Sequence, residues 1–513
     1  MKTFFKYLLI GMMATTVLAS CNEDALETEP TTALSSGSLF SSASSALVPL
    51  NGIYRGMYMY DLGPTGNYHQ AFGISAYNTM AEVMGEDFVM KASGSGWFWY
   101  DCCYNVKSRF ATSTWRSYDY WHAHYAYIAN ANYIIAAEKD MAGTTDEVNY
   151  VVGQAYAIRA YGYFMLSQMF ARTYKGHESE PCVPIYTEPT DAKTEGKPRS
   201  TVAEVYQQID ADINKAIELL KGQFGTEKNH IGYDVALGLK ARICLVENDW
   251  SGAANAAEEA INVTSASIQP VADFIGLNDV SKKNVMWGSL IISDQTTGYA
   301  SFFSHMDPRV SYAQRAPKQI SRVLYAKIND TDVRKTAWWD ENSSYTAPTS
   351  GIQQTKFSFK QLSTWEGDYV WMRVEEMYLA AAEAECRLGN EGKAKELLST
   401  LMAQRDPGYD CSTLTGTDMG ALTTDWTGSL LEEIIIQRRI ELWGEGGRVY
   451  DIRRLKQGFR RTTEMGWPTA ALLTGRPSEN PENYMWVLTI PQAEFDGNTS
   501  LDASKDQNPA GDE

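Results

Sequence analysis

The chain has 513 residues, of which 44% are hydrophobic, and its formal net charge at pH 7 is −18. This length allows one large hydrophobic core or two ordinary ones. The acidic balance disfavours nucleic acid as a partner, because binding a phosphate backbone requires a basic surface.

The first twenty residues have the pattern of a bacterial lipoprotein signal peptide. Lys2 and Lys6 precede an apolar run that is too short to span a membrane. The run ends in Leu-Ala-Ser before Cys21, which matches a lipobox and predicts cleavage before Cys21 and lipid attachment to its sulfur. An ordinary signal peptide followed by an incidental cysteine is the alternative. Loss of the two lysines leaves the mature chain with a net charge of about −20.

Residues 21–45 are acidic and rich in Ser and Thr, which predicts a flexible tether between the lipid and the folded body. Glu23 and Asp24, just after the lipidation site, resemble the export signal of surface-displayed lipoproteins in some Gram-negative bacteria. No later stretch has the roughly 18 consecutive apolar residues of a spanning helix. The sequence therefore predicts a protein held at the membrane by its lipid alone.

Helical patterns dominate residues 46–262. Two long runs rich in Ala, Tyr and Met, beginning near Thr112 and Glu147, are separated by the turn "AGTTD". The next helix is predicted to begin at an N-cap, Ser200 or Thr201, and to end at Gly222.

Two later segments share one pattern of a helix, a tight turn and an alanine-rich helix. They are "YDVALGLKARICLVENDWSGAANAAEEAINV" and "VEEMYLAAAEAECRLGNEGKAKELLSTL". Small residues that let two helices approach closely are typical of a tetratricopeptide-type hairpin. Any other antiparallel helical pair remains the alternative. The predicted fold class is all-α, with tetratricopeptide-like hairpins and irregular loop insertions.

The helical period fades between residues 263 and 368, where Gly, Ser, Thr and Asp alternate with scattered aromatic residues. A shorter stretch of the same kind is "KASGSGWFWYDCCYN", residues 91–105. Irregular insertions on a helical scaffold commonly carry binding sites. A buried strand is the alternative for residues 97–100.

Cysteines and histidines do not form a recognisable metal or redox pattern. The six cysteines after Cys21 lack a C-x-x-C pair, so we interpret them as small core residues, with a disulfide as an open alternative. His122 and His124 are two positions apart, which on a helix places them on different faces. No metal and no cofactor are predicted, and the sequence does not determine whether calcium binds.

The stretch "ELWGEGGRVYDIRRL", residues 441–455, looks most like an active-site fingerprint. Its glycines do not match G-x-G-x-x-G, because Val449 stands where the third glycine is required, and no Gly-Lys-Ser or Gly-Lys-Thr end is present. An amphipathic run precedes them, so we interpret the glycines as a helix C-cap and turn.

Several blocks, in order, together resemble the SusD/RagB family of outer-membrane nutrient-binding lipoproteins. They are the lipobox, "NGIYRGMY", "IANANYIIAA", "GQAYAIRAYGYFMLSQMFA", "VAEVYQQIDADINKAIELL", "GLKARICLVENDWSGAANAA", "RVEEMYLAAAEAECRLGN", "IIIQRR" with residues 441–455, "TIPQAEF" and "DQNPAG". The resemblance covers nearly the whole mature chain. It implies that the charges of residues 438–453 are structural and pair with one another.

The resemblance also implies organisation and function. An N-terminal helical region (46–262), an aromatic-rich insertion (263–368) and a C-terminal helical region (369–513) would form one body. Such proteins look like lids over a SusC-like TonB-dependent barrel in the outer membrane, where they capture glycans at the cell exterior without catalysis. A peptide-binding relative and a glycoside hydrolase, which needs two carboxylates roughly 5 to 9.5 Å apart, are the alternatives.

Candidate ligand residues follow from the chemistry of sugars, whose C–H faces pack on aromatic rings and whose hydroxyls need polar partners. The predicted site residues are Trp97, Trp99, Tyr100, Asp101, Asn105, Trp287, Tyr299, Trp338 and Trp339. With 14 Trp and 30 Tyr in the chain, most aromatic residues must be buried. We therefore expect some members of this set to be core residues and not ligand contacts.

Overall fold

A computed structural model describes residues 39–92, 96–105, 115–270, 274–339 and 351–509. The predicted signal peptide, Cys21 and most of the predicted tether lie outside these residues. Helix α1 begins at Ala43, within the last residues of the segment predicted to be a tether. Ser42 is the N-cap of this helix, because its hydroxyl accepts a hydrogen bond from the Ser45 amide. The serine-rich composition that predicts a tether is therefore also compatible with the start of a helix.

Helices account for most of the first half of the described chain. Their bounds, with one short strand, are α1 Ala43–Gly56, α2 Ile74–Val83, β1 Phe88–Met90, α3 Trp99–Cys102, α4 Trp115–Ala136, α5 Thr145–Phe170, α6 Val202–Leu219, α7 Tyr233–Glu247 and α8 Trp250–Val263. Thr144 and Thr201 each form a capping box with the glutamate three residues later, which fixes where α5 and α6 begin. Thr201 is therefore the N-cap that the sequence left open between two residues.

The second half contains short elements first and longer helices afterwards. They are β2 Val285–Ser289, α9 Phe302–Met306, α10 Ser311–Arg315, β3 Lys318–Ile320, α11 Arg322–Tyr325, β4 Trp338–Trp339, β5 Gln353–Gln354, β6 Tyr369–Arg373, α12 Val374–Arg387, α13 Glu391–Met402, α14 Leu430–Glu441, α15 Arg448–Arg454, α16 Gln492–Gly497 and α17 Ala503–Asp506. Antiparallel pairing gives one sheet in the order β1-β3-β5-β4 and a second of β2 and β6. The helix-rich prediction is confirmed, and these two small sheets are the additions to it.

Successive helices pack side by side as hairpins, as the repeat pattern predicts. The pairs α4 with α5, α5 with α6, α7 with α8 and α12 with α13 are in contact. A Cβ added to Gly153 would come within 2.7 Å of Leu220, and one added to Gly162 within 2.7 Å of Ile128. Glycine at these two positions of α5 therefore sets how closely its neighbours approach. The turn between α7 and α8 is made by Asn248, which has a φ of 61°.

Residues 441–455 form a buried corner between α14 and α15. Gly444 and Gly447 have φ values of 80° and 85°, which favour glycine. Glu441 is fully buried and accepts hydrogen bonds from the arginines 334, 373 and 405. Burial alone would raise the pKa of Glu441, but these guanidinium groups outweigh it and hold the pKa well below its usual value. The structural interpretation of this stretch is confirmed.

The rest of the corner consists of further ion pairs among buried groups. We refer to Glu441 with its three arginines and the pairs listed next as the buried charge network. The pairs are Glu445 with Arg373 and Lys356, Arg439 and Arg448 with Glu86 and Asp87, Arg454 with Glu383 and Asp451, and Arg438 with Asp451. Members of this network include residues of β6, α12, α14, α15 and the turn after α2, together with Arg334, Lys356 and Arg405 from connecting segments, so it ties the two halves of the chain together.

The cysteines in the described residues are buried free thiols, as expected of small core residues: Cys102, Cys103, Cys182, Cys244, Cys386 and Cys411. His124 is fully buried, whereas His122 is exposed, so the two do lie on different faces of α4. Burial lowers the pKa of His124 to about 4. None of the helices in the described ranges combines the length and apolarity needed to cross a bilayer.

Candidate ligand site

Four aromatic side chains from separate segments form a continuous row. The ring centroids of Trp97 and Tyr312 are 5.6 Å apart, those of Tyr312 and Tyr299 are 4.7 Å apart, and those of Tyr299 and Trp365 are 4.7 Å apart. We call these four residues the aromatic row. Tyr299 is 42% exposed, and the other three are half-buried. The row therefore presents aromatic surface to solvent while its members support one another.

Two histidines support the first half of the row. His69 stacks on Trp97 at 5.0 Å and meets Tyr312 at 5.6 Å, and His305 lies 5.5 Å from Tyr312. The Nε2 atom of His305 is 2.7 Å from the carbonyl oxygen of His69. The Nδ1 atoms of both histidines have no hydrogen-bond partner among the described residues. Both atoms are buried, so they are unsatisfied polar groups beneath the row and not part of its exposed surface.

Electrostatics keep the second of these histidines neutral. Burial, reinforced by the nearby Lys318, lowers the pKa of His305 well below its usual value. Burial also lowers the pKa of Lys318 to about 7, and its ammonium donates a hydrogen bond to the Ala316 carbonyl. A neutral imidazole has one donor and one acceptor nitrogen, and in His305 the donor is Nε2, which bonds the His69 carbonyl oxygen.

The backbone that carries Trp97 is held in an unusual conformation. Phe98 has a φ of 68°, which non-glycine residues rarely adopt, and its amide donates to the Gln70 side chain. The Arg116 guanidinium lies 5.4 Å from the centre of the Phe98 ring and binds Asp101 through two hydrogen bonds of 2.8 and 2.9 Å. Since Arg116 and Asp101 are both buried, their pair anchors this loop to α4.

A second non-glycine residue with positive φ lies at the other end of the row. Trp365 has a φ of 60° and donates from its amide to the Leu362 carbonyl. Gln361 and Glu366 exchange two backbone hydrogen bonds of 3.0 Å and close the turn around it. The Trp365 ring packs edge-on against Phe359 at 5.4 Å. Such strain persists where the surroundings enforce it and is concentrated at functional sites.

The middle of the row is supplied by two adjacent segments. Tyr312 lies on the short helix α10, and Tyr299 follows Gly298, which has a φ of 56°. The Ser304 hydroxyl donates to the Tyr299 carbonyl at 2.6 Å and fixes the loop before α9. These local bonds hold two rings from different loops in contact.

The structure brings together two of the predicted site residues, Trp97 and Tyr299. Trp99 is only 7% exposed and begins the short helix α3. It therefore lies neither in the predicted loop nor in the buried strand that was the alternative. Tyr100 is 57% exposed but belongs to no ring pair, and Asn105 is exposed and accepts from Arg476 at 3.3 Å. The proposed site therefore keeps the first two and leaves the others at its margin.

Three predicted site residues are buried, and this burial corrects their assignment. Trp287 is fully buried, donates from Nε1 to the Asn229 carbonyl and packs against Trp371. Trp338 is 4% exposed beside Trp443. Asp101 is committed to Arg116 in the core, so the three are core residues and do not belong to the exposed row. Trp339 is half-buried on β4.

Sequence reasoning omitted Tyr312, Trp365 and His69 from the site. Tyr312 and Trp365 belong to the aromatic residues scattered through residues 263–368, but no spacing distinguishes them from the buried aromatics there. His69 lies in a turn before α2 and carries no motif. Only the tertiary structure, which brings segments about 200 to 300 positions apart together, selects these residues.

Two family models match successive parts of the chain. A model described as starch-binding and associating with the outer membrane matches residues 65–245, and the SusD family model matches residues 281–510. Together they span most of the chain. None of the curated proteins compared with the chain matches it.

Solved structures with a similar fold cover nearly the whole chain. A SusD-like carbohydrate-binding protein from Bacteroides vulgatus has a TM-score of 0.73 at 24% identity, covering 90% of this chain and 97% of its own. A SusD superfamily protein from Bacteroides thetaiotaomicron has a TM-score of 0.74 at 21% identity, with coverages of 91% and 100%. The surface glycan-binding protein A from Bacteroides fluxus has a TM-score of 0.67 at 17% identity, with coverages of 91% and 99%. At these identities the likeness establishes the fold.

Proposed function

The chain belongs to the SusD/RagB family, and from this premise we propose that it captures glycans at the cell surface through the aromatic row. The observation that carries the proposal is the continuous contact of Trp97, Tyr312, Tyr299 and Trp365 at a partly exposed surface. Neighbouring sugar residues of a glycan chain would each place a C–H face on one of these rings.

The chemistry of the row favours a sugar over an extended peptide. Peptide capture usually needs an exposed strand edge or a groove with pockets for side chains, whereas the row offers flat rings at successive positions. The four members of the row carry no charged group, so the charged termini of a short peptide would find no partner among them.

The position in the cell follows from the N-terminal segment and the family. Lipid on Cys21 would hold the body at the outer membrane, facing the exterior, and the captured glycan would pass to a SusC-like TonB-dependent barrel. Cys21→Ser is expected to move the protein from the membrane fraction to the soluble fraction, with glycan affinity unchanged. Fractionation of cells followed by titration of the soluble protein checks this, and persistent membrane retention of the variant would contradict it.

Calorimetric titration tests the ligand and the site together. The mature chain with Cys21→Ala is titrated with a panel of polysaccharides, oligosaccharides and peptides, and release of reducing ends is assayed in parallel. Binding to a glycan without cleavage is expected, and Trp97→Ala should weaken it roughly tenfold to a hundredfold, because uncovering a buried aromatic surface costs about 1.5 to 3 kcal/mol.

Tyr100→Ala is the matched control, since Tyr100 lies on α3, three residues after Trp97, and is exposed but forms no ring pair with the four members of the row. It should leave the affinity unchanged. Release of reducing ends would establish the hydrolase alternative, and binding to peptides alone would establish the peptide-binding alternative; either result overturns the proposal.

A further inference from the structure

A cleft separate from the aromatic row lies on the helical part of the molecule, between α4, residues 186–196 and α16. Its volume is about 370 Å³, within the roughly 300 to 1,000 Å³ of small-molecule sites. Tyr118, His122 and Tyr125 line one wall. They follow one another at i, i+4 and i+7 on α4, so they lie on one face of the helix. This wall is thus aromatic and accessible, with His122 exposed.

Polar residues also line the cleft. They are Asp191 from the loop before α6, Glu494 from α16, and Asn498 directly after α16. Asn498 donates to one Glu494 oxygen at 2.8 Å, and Trp121 donates from Nε1 to the other at 3.2 Å. Each carboxylate oxygen can accept more than one hydrogen bond, so Glu494 is fixed in place and still able to accept from a ligand.

Small residues also line the cleft. Ala129 follows Tyr125 on the same face of α4, and a Cβ added to Gly497 would have no described atom within 4 Å. Partial desolvation lowers the pKa of His122, so the imidazole is neutral at pH 7 and offers one donor and one acceptor. Flat aromatic surface together with oriented acceptors is the combination that a sugar ring and its hydroxyls require.

We propose that this cleft is a second saccharide-binding site, which takes one or two neutral sugar residues between the α4 aromatics and Glu494. Acidic sugars and nucleotides would meet Asp191 and Glu494 as like charges. The site does not depend on the aromatic row being a binding site, because it shares no lining residue with it.

One helix nevertheless connects the two places. Arg116, in the first turn of α4, underlies the loop that carries Trp97. His122 is six residues further on, about 9 Å along the helix axis. A polysaccharide chain that engaged both sites would bind with a higher overall affinity than either site gives alone.

The test uses a variant that fills the cleft. Gly497→Trp places a large side chain into open space, whereas Gly392→Trp adds the same side chain at an open position of α13 as the matched control. Tyr118→Ala with His122→Ala is the second variant, which empties the aromatic wall. Circular dichroism verifies the fold of each. The probes are disaccharides of glucose, galactose, mannose and xylose, with short peptides in a separate arm.

Hydroxyl-radical footprinting locates each binding event. Protection of Tyr118 and Tyr125 by at least one disaccharide is expected, with affinity reduced at least tenfold by Gly497→Trp and unchanged by Gly392→Trp. If no disaccharide protects these tyrosines, if protection survives Gly497→Trp, or if only peptides protect them, the inference is overturned. Protection of Tyr299 without Tyr118 overturns this site alone, and protection of Tyr118 without Tyr299 overturns the aromatic row alone.

Discussion

The aromatic row and the buried charge network differ in solvent exposure and in whether their groups already have partners within the protein. Glu441 is surrounded by three arginines and has no exposed surface, whereas Tyr299 in the row is 42% exposed. The stretch with the strongest resemblance to an active-site motif is therefore internal architecture. The surface suited to a ligand lies instead on loops without a motif, where strained backbone at Phe98 and Trp365 holds rings in position.

Removing Glu441 is expected to have the largest effect on stability. Glu441→Ala leaves the arginines 334, 373 and 405 without their shared carboxylate, and breaking a buried ion pair in this way costs about 3 to 5 kcal/mol. Denaturant unfolding measures the loss, and Glu441→Gln serves as the control of similar shape. An unchanged free energy of unfolding would contradict the structural role of residues 441–455.

Glu82 should make stability depend on pH near neutrality. Burial raises its pKa to about 8, although the Gly447 amide partly opposes this. The folded state then holds a proton that the unfolded state has lost above its ordinary pKa near 4.5. The raised pKa of Glu82 therefore does not change the free energy of unfolding below about pH 4.5. It lowers that free energy increasingly as the pH rises from there to about 8.

Glu82→Gln is expected to raise the free energy of unfolding at pH 8 by roughly 2 to 4 kcal/mol, since each pKa unit corresponds to about 1.4 kcal/mol. At pH 4 the variant and the parent chain should be equally stable. Denaturant unfolding at several pH values checks both points. Parallel pH profiles for the two proteins would contradict the raised pKa.

Two substitutions of Tyr299 distinguish the contribution of its ring to glycan affinity from the contribution of its hydroxyl. Tyr299→Phe keeps the ring that contacts Tyr312 and Trp365, so it should bind glycan within about twofold of the parent chain. Tyr299→Ala should bind about tenfold more weakly, which corresponds to about 1.4 kcal/mol. Calorimetric titration distinguishes the two, and equal losses in both variants would show that the hydroxyl, not the ring, is recognised.

Trp365 is expected to show the smallest effect on stability. Trp365→Gly and Trp365→Ala both delete the ring and should weaken glycan binding equally. Because the φ of 60° is costly for alanine and not for glycine, the glycine variant should be more stable by about 1 kcal/mol. Thermal unfolding of the pair measures the difference. A more stable alanine variant would contradict a left-handed conformation at this turn.

The helical fold could be predicted from the sequence because its signals are local. Thr201 as an N-cap, Asn248 in a tight turn and the small residues of each hairpin act within a few positions. The glycines after Glu441 are also local, so the failure of the phosphate-loop pattern correctly indicated a corner. The two small sheets depend on pairing between segments that are distant in the sequence, such as β1 with β3. No local sequence pattern predicts such pairing.

The candidate site was only partly predictable for the same reason. Of the aromatic residues that the sequence selects in irregular segments, Trp97 and Tyr299 belong to the same row of ring contacts. Composition alone could not separate them from Trp287 and Trp338, which the core buries. Asp101 shows the limit clearly, because its partner Arg116 lies on a helix that the sequence could place but not orient towards it.

The most direct test of the aromatic row as the binding surface is the glycan affinity of the double variant Trp97→Ala with Tyr299→Ala, measured by calorimetric titration alongside its free energy of unfolding. Glycan affinity is expected to fall at least a hundredfold relative to the parent chain. The free energy of unfolding should change by less than about 2 kcal/mol, because neither ring lies in the deep core. Glycan affinity equal to that of the parent chain in a stably folded double variant would contradict the assignment of the aromatic row as the binding surface.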